Sequence, residues 1–145
     1  MKELGEVRFL GIVTKSDEIS RIKISPEYCE GTHMLEEFSH AIIFYWFHLR
    51  DDSADRGTLR VVPKRHLGAP EVGVFASRSP SRPNPIGFCV VEVIGVDGCE
   101  ILVKGLDAVE GTPIIDIKPY IPGADAFPNA RAPEWTMAGP PTRKN

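Results

Sequence analysis

Residues 88–106 read Phe-Cys-Val-Val-Glu-Val-Ile-Gly-Val-Asp-Gly-Cys-Glu-Ile-Leu-Val-Lys-Gly-Leu. Two runs rich in β-branched residues flank Asp97-Gly98, a dipeptide that favours the tight primed turn of a β-hairpin because its glycine readily adopts a positive φ. The stretch therefore predicts two antiparallel strands, over residues 88–96 and 100–106. The rest of the chain is then expected to contain further antiparallel strands that pair with their neighbours in sequence.

Other short apolar runs extend this pattern on both sides of the hairpin. The run at 40–49 is apolar on both faces, which is typical of a strand covered on both sides. Residues 32–38 offer a Thr cap and room for one or two helical turns. The chain is therefore predicted to be mainly β, a small antiparallel barrel-like sheet with short helical turns and about eight strands; the remaining strands are expected at 7–13, 19–24, 58–63 and 114–120.

The length of 145 residues suits one domain. We expect this domain to occupy residues 1–123. The stretch from 124 to 145 is rich in proline and alanine with little periodicity, so an extended or partly disordered tail is expected there, with Trp135 docked on another part of the protein.

The net charge of −3 hides an uneven distribution. Residues 50–82 hold seven lysines and arginines against four acids, whereas residues 1–49 and 83–145 are each acidic. Such a locally basic third suits a partner with a few negative charges, although it can equally be a solvated face.

The three cysteines, Cys29, Cys89 and Cys99, contain no C-x-x-C pair, so the sequence predicts neither a disulfide framework nor a thiolate zinc site. His40 and His48 would lie about 26 Å apart on one straight strand, too far to share a metal. The N-terminal residues lack an apolar signal core, and no apolar run is long enough to span a bilayer. We therefore expect a reduced, cytoplasmic protein without a metal and without a membrane segment.

Residues 73–87, Gly-Val-Phe-Ala-Ser-Arg-Ser-Pro-Ser-Arg-Pro-Asn-Pro-Ile-Gly, form an unusual connection between two predicted strands. Each proline restricts its own φ and pushes the preceding residue out of the α region, so the loop is predicted to be stiff. Arg78, Arg82 and Asn84 on this loop present fixed donors for a phosphate, a carboxylate or a purine edge. The alternative is a structural loop whose arginines pair with acidic neighbours.

Residues 114–120 place Asp116, Lys118 and Tyr120 on one face of a strand if the segment is extended. One interpretation is a proton-handling or ligand-orienting set, in which Lys118 tunes Asp116 and Tyr120 donates a hydrogen bond. The other is an ordinary surface strand with its polar residues outward, closed by Pro119 at an edge.

Three stretches resemble the signatures of the TsaA-like family, also called TrmO. They are residues 73–87, residues 106–122 (Leu-Asp-Ala-Val-Glu-Gly-Thr-Pro-Ile-Ile-Asp-Ile-Lys-Pro-Tyr-Ile-Pro) and Phe38-Ser39-His40 with the aromatic run that follows. The resemblance implies a β-barrel homodimer that binds S-adenosylmethionine. It also implies methyl transfer to N6 of a threonylcarbamoyl-modified adenosine at position 37 of a tRNA.

The same resemblance assigns roles by motif position. The implied cofactor contacts are His48, Leu49, Arg78, Phe88, Leu106, Asp107, Ala108 and Val109. The residues implied to shape the pocket or meet the RNA are Arg82, Asn84, Asp116, Lys118 and Tyr120. Chemically, Asp116 or Tyr120 could accept the proton that leaves N6, with Lys118 tuning Asp116, so these three are the catalytic candidates. A homodimer is also consistent with the apolar run at 41–47, since such a surface needs a cover.

Residues 14–24 depart from the family pattern, because the Pro-containing segment that usually follows the first strand is missing. In the family that segment helps to wall the cofactor. The alternative function is therefore a non-catalytic S-adenosylmethionine or nucleotide sensor. A metal-dependent enzyme using the four histidines is the weakest candidate, because their spacing matches no ligand pattern.

Overall fold

The computed structural model describes residues 4–139 and contains a closed six-stranded barrel with the strand order β1-β2-β7-β6-β3-β8. Two further strands, β4 and β5, form a separate two-stranded sheet. The predicted antiparallel, barrel-like fold is thereby confirmed. The bounds are β1 Gly11–Lys15, β2 Ile19–Ile24, β3 His40–Trp46, β4 Arg60–Val61, β5 Val72–Gly73, β6 Ile86–Asp97, β7 Glu100–Lys104 and β8 Pro113–Pro119.

The described chain divides into two compact units. Residues 4–46 and 88–120 make the first, called here the barrel unit, and residues 47–87 and 121–139 make the second, called here the loop unit. The domain boundary predicted at residue 123 stays a prediction, and residues 140–145 of the predicted tail lie outside the described residues.

The core of the barrel follows from the two-residue period of its strands. In β3, every second side chain points inward, so that Ala41, Ile43 and Tyr45 are buried while the residues between them are half-buried. The strand ends at Trp46, earlier than predicted, and a 3-10 turn at His48–Arg50 follows it. The other inward residues include Val13, Ile22, Ile24, Val91, Ile101, Val103 and Ile114.

The tight turn predicted at Asp97-Gly98 is present, and a second short turn joins β1 to β2. Asp97 pairs with Glu100, and Gly98 has a φ of +62°, which confirms the Asp-Gly hairpin between β6 and β7. Lys15 pairs with Arg21, so β1 and β2 are also joined by a short turn. This turn occupies the place where the family carries its longer Pro-containing segment.

A disulfide joins Cys29 to Cys99, with Cα atoms 5.2 Å apart across a separation of 70 residues. The prediction that no disulfide is present was therefore wrong. The cysteines no longer support a reduced compartment, because that inference depended on the absence of a disulfide. Cys29 lies on a 3-10 segment, Pro26–Thr32, that directly follows β2, and the amide of Ile24 donates to the Cys99 carbonyl at 2.8 Å. Barrel closure thus brings together two cysteines whose spacing in sequence shows no pattern.

The helices are short, as predicted. Within the predicted range 32–38, one 3-10 turn is present at Leu35–Glu37, and its N-cap is Met34, not Thr32. A second 3-10 segment, Pro26–Thr32, precedes it and was not predicted. The loop unit contains α1, Ser53–Arg56, and α2, Pro122–Asp125, with a 3-10 turn at Glu134–Met137. No helix within residues 4–139 has the length and apolarity that crossing a membrane requires.

Trp135 docks as predicted. Its ring packs edge-on against His66 with centroids 5.6 Å apart, and Nδ1 of His66 lies 2.8 Å from the carbonyl oxygen of Ala138. Because a carbonyl can only accept, Nδ1 of His66 carries the proton in this bond. Both contacts lie within the loop unit.

Candidate functional site

The connection from β7 to β8, residues 105–112, is held by a buried and a half-buried side chain of the barrel unit. The phenol of Tyr45, which is 6% exposed, donates to the carbonyl oxygen of Asp107 at 2.9 Å. The thiol of Cys89 donates to the carbonyl oxygen of Gly105 at 3.1 Å, a contact that begins the turn. Both bonds link the turn to strands that are far away in sequence, so they fix its position on the barrel.

Two hydroxyls hold the middle of the same turn. Ser16, in the short β1–β2 turn, donates to the carbonyl oxygen of Ala108 at 2.8 Å. Thr112, which is buried, donates to the carbonyl oxygen of Val109 at 2.6 Å. The shortened segment at 14–24 therefore supports the turn that the family resemblance assigned to the cofactor.

The carbonyl contacts determine where the amides of this turn point. All described peptide bonds are trans, so each N–H is directed opposite to the carbonyl of the preceding residue. Since the carbonyls of Asp107 and Ala108 face side chains of the barrel unit, the amides of Ala108 and Val109 face away from those side chains. Within residues 4–139 neither amide donates to a protein acceptor. Two adjacent donors are thus available to a ligand.

Burial raises the pKa of the Tyr45 phenol far above its usual value, and the nearby Cys89 and Asp107 raise it further. The phenol therefore stays neutral and remains a hydrogen-bond donor to the turn at any ordinary pH. Nothing in the motifs of the sequence singles Tyr45 out. The feature that could have identified Tyr45 is its hydroxyl on the inward face of an otherwise apolar strand, because a buried hydroxyl needs a hydrogen-bond partner.

Phe88, an implied cofactor contact, lies on β6 beside the residue that holds Gly105. Its ring stacks on Phe44 of β3 with centroids 6.3 Å apart and an angle of 30° between the planes. Phe88 is 44% exposed, so part of the ring is accessible for stacking. Phe44, which the sequence reasoning did not single out, thereby fixes the orientation of Phe88.

Two residues of the predicted row, Asp116 and Lys118, lie on β8, which ends at Pro119, before Tyr120. Phe44 pairs with Asp116 and Ile42 pairs with Lys118, so these side chains share the half-buried face of β3 and β8. A carboxylate oxygen of Asp116 lies 3.2 Å from Nζ of Lys118, and its other oxygen accepts from the amide of Ile117 at 2.9 Å. The structure therefore brings the predicted acid–base group next to the aromatic pair that contains Phe88.

Tyr120 lies four residues beyond Asp116, about 13 Å along an extended strand. Its amide donates to the carbonyl of His40 at 3.0 Å, and the two rings meet edge-on with centroids 6.4 Å apart. Tyr120 therefore lies just beyond the end of β8, next to His40.

The remaining site residues belong to the loop unit, and there the 73–87 loop is braced by its own side chains. Arg82 donates to the carbonyl oxygens of Ser77 and Ser79, at 3.0 and 3.1 Å. Arg56 donates to the carbonyl of Pro83 at 2.9 Å and approaches the amide oxygen of Asn84 at 3.4 Å. The guanidinium of Arg82 therefore stabilises the loop that it belongs to, although its partners are backbone carbonyls and not the acidic neighbours that the structural alternative named.

Ser81 ties the same loop to α1 by donating to a carboxylate oxygen of Asp55 at 2.5 Å. This hydrogen bond is the main reason that the pKa of Asp55 lies below its usual value, and the Arg50 guanidinium, 3.6 Å away, contributes as well. His48 and Leu49 form part of the 3-10 turn that follows β3, and Leu49 is 71% exposed. Of the implied cofactor contacts, His48, Leu49 and Arg78 lie in the loop unit and Phe88 and residues 106–109 lie in the barrel unit.

No group of three or more His, Cys, Asp or Glu side chains within residues 4–139 is placed to hold a metal ion.

Residues 12–126 match the family described as tRNA-methyltransferase O N-terminal domain. The chain belongs to this family. The resemblance of residues 73–87 and 106–122 to TrmO signatures is confirmed by this match, which spans both stretches.

Individual relatives agree with the family match. The chain is 49% identical over 110 residues to an S-adenosyl-L-methionine-binding protein of Archaeoglobus fulgidus, which covers 76% of this chain and 75% of the relative. It is 45% identical over 102 residues to the tRNA (adenine(37)-N6)-methyltransferase of Escherichia coli K12, covering 68% of this chain and 43% of that enzyme. A crystal structure of TrmO from Pseudomonas aeruginosa superposes with a TM-score of 0.74 at 27% identity, covering 97% of this chain and 65% of the other.

Proposed function

We propose that this chain binds S-adenosylmethionine and transfers its methyl group to N6 of adenosine-37 in a tRNA, with a threonylcarbamoyl group on the acceptor base. The family match and the names of the relatives support the reaction class. One structural observation carries the proposal, namely that the turn at 105–112 is held by four side chains with two amides facing outward. Ordinary surface turns do not need such support.

The residues of the barrel unit fit this cofactor. The amides of Ala108 and Val109 suit a carboxylate or the edge of an adenine, and the exposed part of the Phe88 ring suits stacking of a purine. S-adenosylmethionine supplies an activated methyl group on a sulfonium. The task of the protein is to hold the acceptor nitrogen in line with that group, and positioning alone supplies much of the rate acceleration.

Asp116 is the residue that we assign to the proton on N6. One of its oxygens is paired with Lys118 and the other accepts a backbone amide, which orients the carboxylate and leaves lone pairs free to accept a further proton donor. Lys118 orients Asp116 in this scheme, and Tyr120 binds the substrate just beyond the end of β8. By their motif positions, His48, Leu49 and Arg78 are also assigned to the cofactor, and Arg82 and Asn84 to the shape of the loop that carries Arg78.

Recognition of tRNA is assigned to the basic part of the sequence. Residues 50–82 hold seven lysines and arginines, and phosphate contacts supply much of the affinity of any RNA-binding protein. We propose that a homodimer of this chain binds the tRNA, as the family resemblance implies. A cytoplasmic location follows from the proposed substrate.

Two measurements test the proposal. Calorimetry with S-adenosylmethionine should show binding, and incubation with labelled cofactor and tRNA should methylate adenosine-37. Asp116→Asn should keep cofactor binding and lower methyl incorporation by about 100-fold, the usual contribution of a general base. Glu100→Gln is a matched control, because Glu100 also pairs with a basic side chain, Arg21, on the barrel surface.

Binding without incorporation into any tRNA would instead favour the sensor, and a monomeric mass by light scattering would reject the dimer.

A further inference from the structure

The barrel unit contains a second candidate binding site, a cavity of about 550 Å³ between residues 27–38 and one end of the barrel. This volume lies in the range of sites that bind small organic molecules. Most of its wall is apolar, with aliphatic side chains from the barrel on one side and aromatic and aliphatic side chains of the segment on the other. These include Leu10, Ile24, Ile101, Ile117, Leu35 and Phe38.

This cavity lies at the opposite end of the barrel from the turn at 105–112. Strand β8 begins at Pro113, directly after the turn, and ends at Pro119, which lines the cavity. Six residue steps of extended strand separate these two ends by about 20 Å. A molecule in the cavity therefore does not contact Ala108 or Val109.

The wall formed by residues 27–38 is attached to the barrel through covalent and polar links. The Cys29–Cys99 disulfide joins it to the β6–β7 turn, and the amide of Val96 donates to a carboxylate oxygen of Glu36 at 3.4 Å. The 3-10 segments themselves contain no buried residue. Because the disulfide holds the wall in place before any ligand binds, little conformational entropy is lost on binding.

Charges at the cavity favour a cation. Three acids, Glu27, Glu30 and Asp116, are among its lining residues, together with His33. Lys118 compensates Asp116, and Arg8, which pairs with Glu6, lies near Glu27. Glu30 has no ion-pair partner within residues 4–139, so negative charge remains in excess.

From the apolar wall and the excess of acids, we infer that this cavity is a binding site for a small, mainly apolar organic cation, distinct from the cofactor turn at 105–112. Asp116, to which we assign the proton on N6, borders this cavity as well. The inference does not depend on the proposed methyltransferase activity. Its chemical class is set by two independent features, the apolar lining and the acidic residues.

The test uses two probes with the same ring and opposite charge, 1-naphthylmethylammonium and 1-naphthoate, titrated into the full oxidised protein at low salt. The cation should bind with a stoichiometry of one and about fivefold more tightly than the anion, as expected for a solvent-accessible charge pair. Glu30→Gln should reduce this preference. Leu35→Trp, which fills the cavity, should weaken binding of the cation about tenfold.

Ile94→Ala is the matched control, because Ile94 is an exposed aliphatic residue of the barrel unit that does not line the cavity. It should leave the affinity unchanged. If Leu35→Trp does not fold, Gly31→Leu replaces it, since Gly31 lines the cavity and an added Cβ there meets no atom within 4 Å. Absence of binding, equal affinity for both probes, insensitivity to the filling variants, or displacement of the probe by S-adenosylmethionine would each overturn the inference.

Discussion

Removal of the Cys29–Cys99 disulfide should destabilise the barrel unit by an amount that its position in the chain predicts. A cross-link across 70 residues lowers the entropy of the unfolded chain by an amount worth roughly 4 kcal/mol at 25 °C. With a urea dependence of about 2 kcal/mol per molar, the unfolding midpoint should fall by about 2 M. The melting temperature should fall by about 10–15 °C.

The assay compares the oxidised protein with the double variant Cys29→Ser, Cys99→Ser in urea. The chain contains two tryptophans, Trp46 in the barrel unit and Trp135 in the loop unit. Replacing Trp135 by Phe in both proteins makes fluorescence report the barrel unit alone. Thiol titration of the unfolded oxidised protein should find one free thiol, Cys89, and three after reduction.

Reductant provides the control. It should destabilise the disulfide-containing protein as much as the double substitution does, and it should have no effect on the double variant. Two outcomes contradict the reasoning. Three free thiols in protein purified without reductant would show that the bond is absent, and a loss below about 1 kcal/mol would show that the cross-link does not restrict the unfolded chain as calculated.

Three further predictions concern side chains that hold the candidate site. Tyr45→Phe removes the buried bond to Asp107 and should lower the free energy of unfolding by about 1–2 kcal/mol while weakening cofactor binding in calorimetry; equal affinity would contradict the assigned role. Ser16→Ala should weaken cofactor binding several-fold with little change in stability, since the bond that it removes is exposed. Ser81→Ala removes the hydrogen bond that is the main cause of the lowered pKa of Asp55. Because this pKa is lowered in the folded state, the ionised Asp55 carboxylate stabilises the protein above its unfolded-state pKa, and this stabilisation is lost as the pH falls through the folded-state pKa. The variant should therefore be less stable than the wild type in urea at pH 7, and the difference should shrink toward pH 3.

The parts of the fold that could be predicted are those encoded by local chemistry. Asp97-Gly98 specifies a turn through the φ that glycine allows, and a continuous run of β-branched and aromatic residues identifies β3 as a strand. The strand end at Trp46 could not be predicted, because the apolar run continues beyond it. Only the 3-10 turn at His48–Arg50 shows that the strand has ended.

The family motifs identified the turn at 106–109 but not the residues that hold it. Ser16 and Tyr45 reach this turn from positions that are 92 and 62 residues away in sequence, so no local pattern connects them to it. The same holds for the two bridged cysteines. These contacts exist because barrel closure makes neighbours of strands that are distant in the chain, and a closed barrel is a property that alternation predicts only as a class.

The short β1–β2 turn illustrates how such a contact changes the functional argument. From sequence alone, the missing Pro-containing segment counts against catalysis, because the cofactor loses a wall. In the structure, the short β1–β2 turn places the hydroxyl of Ser16 on the carbonyl of Ala108, so this segment supports the turn that we propose to bind the cofactor. A segment that covers the ligand and a hydrogen bond that orients the donors of the site contribute differently to cofactor binding. The first slows cofactor dissociation, whereas the second determines whether the amides of Ala108 and Val109 point at the ligand. A chain that keeps the supporting hydrogen bond but lacks the covering segment should therefore bind its cofactor in the correct orientation but release it quickly, which is compatible with turnover.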